Sequence, residues 1–126
     1  MAWSEVEYIA LHGIECCRMR GEELKGHIDT MVLAALRHEA LHGYALVQRL
    51  KVRSDGVFDL GEGTVYPALH RLERDGLVES TWTRAGGRKR RVYALTHAGV
   101  GALSERKGAW KSFAKGMQAL LDGGAA

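Results

Sequence analysis

The sequence predicts a mainly α-helical protein with one small β-hairpin. Apolar residues recur at helical spacing along most of the chain, a pattern typical of amphipathic helices. Between Leu77 and Leu95, β-branched and aromatic residues flank a Gly-Gly pair instead, which predicts a hairpin. The same segment is strongly basic, and it holds five cations: Arg84, Arg88, Lys89, Arg90 and Arg91.

The composition is that of a soluble globular protein. A length of 126 residues fits one domain with a modest core, and contents of 46% hydrophobic and 26% charged residues are ordinary for such a protein. The net charge of +3 is compatible with nucleic acid but indicates little alone. No apolar run is long enough to span a bilayer, and the first residues carry acids where a secretory signal carries bases. We therefore expect a cytoplasmic protein with no membrane partner.

The residue patterns do not indicate an enzyme. CxxC, HExxH, phosphate-loop and Rossmann glycine patterns do not occur, and nothing pairs a nucleophile with a base. Cys16 and Cys17 are adjacent, which disfavours a structural disulfide and fits a reducing compartment. A redox or metal role for them with His12 is the minor alternative. We expect no catalytic residue, no metal site and no cofactor.

Residues 1–20 form an N-terminal extension whose structure the sequence leaves open. Val6, Ala10, Gly13 and Cys17 fall at helical spacing, although Gly13 weakens a helix. In the alternative interpretation the segment is loosely attached, and Met19 would itself be a sensible start.

Three helices are predicted next. The first runs from Glu22 to His38, and its apolar face consists of Leu24, Ile28, Met31, Val32, Ala35 and Leu36. The second runs from Gly43 to Arg53, buries Leu46, Val47 and Leu50, and is stopped by Ser54-Asp55-Gly56. After a flexible Gly61-Glu62-Gly63 entry, the third runs from about Thr64 to Asp75 and ends at Gly76.

The third helix is two-sided. Val65, Leu69 and Leu72 stack on one side, with Ala68 at the edge of this apolar stripe. The opposite side is polar, and it carries Pro67, His70, Arg71 and Arg74, with Thr64 toward it. Such a face is either simply solvated or the contact face of a DNA-reading helix, and the basic hairpin next to it favours the second interpretation.

The predicted hairpin, here called the wing, has strands at Leu77–Thr83 and Arg90–Leu95 joined by a turn over residues 84–87. A solvated turn does not need Arg88, Lys89 and Arg90 together, because like charges repel one another. Phosphates would relieve that repulsion, and Gly87 lets the backbone approach them closely. Thr64 and Tyr66 at the start of the third helix are further candidate DNA contacts.

Thr96 is expected to cap a last helix that runs to about Leu121. Its apolar residues follow the three-and-four rhythm of a helix-pairing seam: Leu103, Trp110, Phe113, Met117 and Leu120. Three helices followed by a hairpin make the winged helix-turn-helix arrangement. The predicted organisation is a DNA-binding domain over residues 21–96, a C-terminal dimerisation helix over 97–122 and a frayed tail over 123–126.

Three stretches resemble signature segments of the PadR family of bacterial transcription regulators. They are LHGYALVQRL (Leu41–Leu50), EGTVYPALHRLERDGLV (Glu62–Val78) and GGRKRRVYALTHAG (Gly86–Gly99), and their order and spacing also match. The resemblance covers the chain from about Glu23 to the C-terminus. Residues 1–18 have no clear counterpart in the family pattern.

The resemblance implies a homodimeric repressor that binds double-stranded DNA at a pseudo-palindromic operator. In the family the third helix enters the major groove, the wing contacts the backbone, and a tyrosine at the position of Tyr44 lies against the DNA. The last helix pairs with its dimer mate. The short C-terminal helix resembles the smaller subfamily, in which some members bind planar aromatic effectors at the dimer centre through a tryptophan that Trp110 matches.

Several alternatives stay open at this point. Trp110 is either a packing anchor of the dimer or a stacking platform for an effector, and Leu103, Phe113 and Met117 share that interface in a packing role. The repressor could also be independent of any ligand. A protein from a different class, a winged-helix adaptor that binds other proteins and no DNA, is the main rival.

Overall fold

The computed structural model describes residue 24 and residues 26–123. The N-terminal extension, with Cys16 and Cys17, lies outside the described residues. Within this part, no helix is long and apolar enough to cross a lipid bilayer. The elements, in chain order, are α1 (Ile28–Ala35), β1 (Leu41–His42), α2 (Gly43–Arg53), α3 (Glu62–Arg74), β2 (Val78–Ala85), β3 (Arg88–Leu95) and α4 (His97–Leu121).

The mainly helical fold with a basic hairpin is confirmed, but α1 is shorter than the predicted Glu22–His38 helix. Gly26 has φ 96°, in the left-handed region that a right-handed helix cannot pass through. At the other end Leu36 has φ −89° and ψ 1°, so the helix stops before Arg37. The predicted apolar face is nonetheless correct, because its members are buried or pack against the core: Leu24, Ile28, Met31, Val32, Ala35 and Leu36.

The second helix has the predicted bounds, and its stop signal is confirmed: Asp55 and Gly56 have φ of 54° and 82°. The third helix begins earlier than predicted. Gly61 is its N-cap, and the carbonyl of Gly61 accepts from the backbone N–H groups of Thr64 and Val65 at 3.0 and 3.1 Å. The residues taken for a flexible entry therefore form the first turn.

The C-terminus of α3 is closed by a Schellman motif. The Leu77 N–H donates to the Leu72 carbonyl at 2.9 Å, and the Gly76 N–H donates to the Glu73 carbonyl at 3.1 Å. Gly76 has φ 78°, a conformation that glycine adopts without steric cost. This rigid junction fixes the direction in which β2 leaves the helix.

The sheet has three antiparallel strands in the order β1-β3-β2, and the wing strands are longer than predicted. Gly86 and Gly87, with φ of 60° and 79°, alone form the turn, as in a two-residue type I′ hairpin. Arg84 and Ala85 can therefore pair with Lys89 and Arg88 instead of forming a loop. The strand β1 was not predicted, because two residues are too few to show an alternation of apolar and polar side chains. Its Leu41 pairs with Tyr93 of β3.

The core lies between α1, α2, α3 and the sheet, and α4 closes one side of α1. The predicted apolar stripe of α3 is confirmed, with Val65, Leu69 and Leu72 fully buried. On α2, Leu46 and Leu50 are buried as predicted, whereas Val47 is only half-buried. Full burial of such a side chain contributes roughly 1.5–3 kcal/mol. Leu33, also buried, lies off the predicted stripe of α1, because that helix is enclosed on more than one side.

Gly99 allows α4 to start directly against the end of α3. A Cβ there would overlap the Leu77 carbonyl oxygen, whereas a Cβ at Gly101, also in α4, would meet nothing within 4 Å. We expect Gly99→Ala to lower the free energy of unfolding by roughly 1–3 kcal/mol and Gly101→Ala to raise it by up to about 1 kcal/mol. Urea unfolding at one fixed protein concentration measures both, and equal effects of the two variants would contradict the packing described here.

Candidate nucleic-acid interface

The predicted polar side of α3 is exposed. Because Val65, Ala68, Leu69 and Leu72 lie in the core, the opposite side of the helix must face solvent. Pro67, His70, Arg71 and Arg74 are all exposed there, and Thr64 is half-buried. The helix thus presents a continuous polar surface that a DNA groove can receive.

Tyr66 has a packing role that the sequence did not reveal. Its ring lies so close to Gly43 that a Cβ there would overlap it, and this contact joins α3 to the start of α2. The ring also lies 6.5 Å from that of His70. Tyr44, the next residue along α2, is 59% exposed and stacks on His42. The glycine therefore brings Tyr44 to the same end of the molecule as the first turns of α3.

Arg71 is held by an ion pair that joins α3 to α1. Its Nη2 donates to Oδ1 of Asp29 at 2.8 Å, while its side chain stays 47% exposed. An ion pair this exposed contributes only about 0–1 kcal/mol. Arg71 can therefore exchange Asp29 for a base edge or phosphate at little energetic cost. Sequence spacing could not show the pair, since its partners are 42 positions apart.

The wing presents different side chains on its two faces. Ser80 pairs with the buried Tyr93, so their face of the sheet points to the core. Successive pairs alternate between faces. The pairs Trp82–Arg91 and Arg84–Lys89 therefore share the core-side face, while Arg88 and Arg90 lie on the other. The predicted basic cluster is real, but it projects from both faces of a strand and not from a loop.

The charges at the wing tip are not neutralised within the protein. Arg88, Lys89 and Arg90 are exposed, and in the described part of the chain no carboxylate forms an ion pair with them. A Cβ at Gly87 would meet nothing within 4 Å, so the turn backbone is open to solvent. Three uncompensated cations beside an accessible backbone suit a polyanion such as the DNA phosphate chain.

Arg91 differs from these neighbours, because it faces inward and has several partners. Its Nη2 lies 3.1 and 3.2 Å from the two carboxylate oxygens of Glu73, and its Nε donates to the Ser80 hydroxyl at 2.8 Å. Its guanidinium also lies 5.9 Å from the Trp82 ring and 5.7 Å from the Tyr93 ring. Burial raises the pKa of Tyr93, and the Arg91 charge opposes that shift.

The apolar seam of α4 is mostly uncovered. Leu103 is buried, whereas Trp110 and Phe113 are 52% and 51% exposed and stack with ring centroids 5.5 Å apart. Met117 is also exposed, farther along the helix. Exposed aromatic and aliphatic side chains in one row are typical of an interaction surface.

A groove of about 480 Å³ lies between α1, α2 and α4, and here it is called the α1–α4 groove. Of the residues predicted at the effector or dimer interface, Leu103 and Trp110 line the groove. Phe113, which stacks on Trp110, and Met117 do not line it. Its apolar wall also contains Met31, Leu50 and Phe58. Its basic side chains come from α2, from α4 and from the segment that follows α1: Arg37, Arg49, Arg53 and Lys107.

The helices α1, α2 and α3, the short strand β1 and the basic two-stranded wing together define a winged helix-turn-helix protein. The transcriptional regulator PadR-like family model matches residues 32–105, more than half of the chain, so the chain belongs to this family. Its members are transcriptional regulators and not enzymes, as predicted. The transcriptional regulator Rv3488 of Mycobacterium tuberculosis is 42% identical over 86 residues, which cover 66% of this chain and 78% of the relative.

Solved structures show the same fold. A PadR family transcription regulator from Clostridium difficile R20291 is 32% identical with a TM-score of 0.67, covering 75% of this chain and 98% of that one. A PadR-like regulator from Bacillus cereus is 29% identical with a TM-score of 0.70, covering 80% and 97%. Bacillus subtilis PadR in complex with operator DNA matches at 24% identity with a TM-score of 0.58, covering 63% and 45%.

The Asp29–Arg71 pair leads to a prediction about DNA affinity. Asp29→Asn removes the carboxylate that holds Arg71, so we expect the variant to bind duplex DNA roughly two- to five-fold more tightly, in line with an exposed ion pair of up to about 1 kcal/mol. Fluorescence anisotropy of a labelled duplex measures this. The matched control is Asp29→Asn in an Arg71→Gln background, where the gain should vanish. Weaker binding by the single variant would show that Arg71 acts in its paired position.

Proposed function

We propose that this PadR-like protein is a homodimeric repressor that binds double-stranded DNA at a pseudo-palindromic operator. One observation carries the proposal: the exposed polar side of α3 lies beside a wing whose tip cations are unpaired in the described structure. In such an arrangement the recognition helix contacts base edges in the major groove, and the basic wing contacts the flanking phosphate backbone. Because a regulator of this kind must reach its operator DNA, we infer a cytoplasmic location.

Separate parts of this surface have separate roles. The helix residues His70 and Arg71 supply donors for base edges, because an arginine can bond a guanine through two hydrogen bonds. Thr64 and Pro67 line the same side. The wing residues Arg88, Lys89 and Arg90 supply phosphate contacts, which give affinity without sequence information. Tyr44 adds a backbone contact. The operator complex of Bacillus subtilis PadR, which has the same fold, supports binding to operator DNA.

The uncovered seam of α4 supports dimerisation. Trp110, Phe113, Met117 and Leu120 are exposed and follow one another at intervals of three or four residues. Such a seam pairs with the same seam of a second copy, which would bury the two aromatic rings. A two-fold dimer presents two recognition helices, and these reach half-sites about one DNA turn, roughly 34 Å, apart. That geometry requires a pseudo-palindromic operator.

The α1–α4 groove supports control by a small effector. Its volume of about 480 Å³ suits one small molecule. The exposed Trp110 ring offers a stacking surface for a planar compound. Arg49 pairs with Glu39, and the other basic side chains of the groove favour a neutral or anionic ligand over a cation. A ligand there lies between the dimer helix and α1, so it can change the distance between the two recognition helices. It does so only if it binds the two arrangements with different affinity.

Selection of genomic DNA fragments by the purified protein tests the proposal. The wild type should enrich pseudo-palindromic sites with half-sites one turn apart. A Trp110→Ala/Phe113→Ala variant should be monomeric in sedimentation velocity and should bind the selected sites at least ten-fold more weakly. Val52→Ala serves as the control, because Val52 is also an exposed apolar residue but lies on α2, away from the seam. Enrichment of no common sequence by the wild type would overturn the repressor and favour a protein-binding adaptor.

A further inference from the structure

Arg91 belongs to the basic segment by sequence but not by environment. The side chains of Arg88, Lys89 and Arg90 project into solvent, whereas Arg91 is bonded to Glu73 of α3 and to Ser80 of β2. The Ser80 hydroxyl in turn donates to the Glu73 carboxylate, which closes a three-membered polar network. The guanidinium also lies over the rings of Trp82 and Tyr93.

This network joins the last turn of α3 to the base of the wing through polar side chains, in addition to the apolar packing of Val78 and Tyr93 in the core. Glu73 lies in the last turn of α3, next to the Schellman closure, and Arg91 lies where the wing leaves the core. The short strand β1 pairs with β3 at Val92 and Tyr93 but not beyond. From Arg91 outward the wing is therefore a two-stranded hairpin, a structure of marginal stability on its own.

We propose that Arg91 is a positioning residue that clamps the wing to the recognition helix and does not contact DNA. The inference rests on the proposed function, because it concerns how the two DNA-contacting parts keep their relative position. Its charge is compensated by Glu73, and its Nε and Nη2 are already engaged as donors within the protein. The exposed tip cations bind phosphates, and Arg91 determines where those cations lie.

The geometry shows why a clamp at this point matters. Arg88 lies three residues beyond Arg91, or roughly 10 Å along an extended strand. A tilt of about 15° at Arg91 would move the tip by roughly 2.5 Å, which exceeds the distance tolerance of a hydrogen bond to phosphate. Without the clamp the wing keeps its tip cations, but their positions relative to α3 are no longer fixed.

Glu73→Gln separates the clamp from a direct phosphate contact, because the two roles predict opposite results. The substitution removes an acid near the DNA surface and frees Arg91. If Arg91 bound a phosphate, operator affinity would therefore rise. If Arg91 is a clamp, affinity for the selected operator should fall about five- to ten-fold, with no change in the slope of log affinity against log salt. Arg91→Gln should act like Glu73→Gln, and the double variant should bind little more weakly than either single variant.

Arg90→Gln is the matched control, one position away on the other face of the strand. It should reduce the salt slope by about 0.9 for each phosphate that is no longer neutralised. It should also weaken specific and non-specific binding alike, whereas the clamp variants should weaken specific binding preferentially. Tighter binding by Glu73→Gln, or a reduced slope in Arg91→Gln, would overturn the clamp. Unchanged operator affinity in both clamp variants would also overturn it.

A second measurement does not need DNA. With 5-fluorotryptophan in place of all three tryptophans, the ¹⁹F resonance of Trp82, assigned by its absence in Trp82→Phe, reports the base of the wing. This resonance should shift and change width in Glu73→Gln and Arg91→Gln but not in Arg90→Gln. Thermal unfolding of each variant shows whether it folds. Arg91→Lys keeps the charge but loses the hydrogen bond of Nε, so its Trp82 resonance should lie between those of the wild type and Arg91→Gln. A wild type that binds no DNA would refute the proposed function but not the clamp. A Trp82 resonance that stays unchanged in Glu73→Gln and Arg91→Gln would refute the clamp.

Discussion

Burial of one side of α3 against α1 determines which side chains can meet another molecule. Val65, Leu69 and Leu72 are fully buried, and each contributes roughly 1.5–3 kcal/mol. Rotating the helix would expose these side chains, so its polar side is fixed in direction. His70 and Arg71 face outward as a consequence of the packing, and the Schellman closure at Gly76 passes that direction on to the wing.

The wing combines a tight turn with an unequal distribution of charge. Two left-handed glycines shorten the turn to two residues, and the alternation of the strands then sends neighbouring cations to opposite faces. Arg91, on the inner face, joins Glu73 and becomes part of the protein's own packing. The arginine next to it, Arg90, stays free for a polyanion. One basic segment thus supplies both an internal ion pair at the base of the wing and uncompensated charge at its tip.

Features with local causes were predictable from the sequence, and features made by distant neighbours were not. The stripes of α2, α3 and α4 and the caps at Thr96 and Gly76 follow from spacing within a few residues. The Asp29–Arg71 pair, the Glu73–Arg91 pair and β1 all depend on tertiary contacts that no spacing reveals. The arginines of the α1–α4 groove were missed for the same reason. The apolar stripe of α4 was correctly located by its period, and all of it except Leu103 is exposed.

The most direct test of the account is the salt dependence of operator binding by the wild type and by an Arg88→Ala/Lys89→Ala/Arg90→Ala variant. The wild type should bind tightly, resist competition by random DNA and weaken steeply as salt rises. The variant should bind far more weakly, with a salt slope smaller by about 0.9 for every phosphate that the removed cations neutralise in the wild type. Wild-type binding that is no tighter than to random DNA and no different from that of the variant would contradict the central claim that α3 and the wing form a DNA-reading surface.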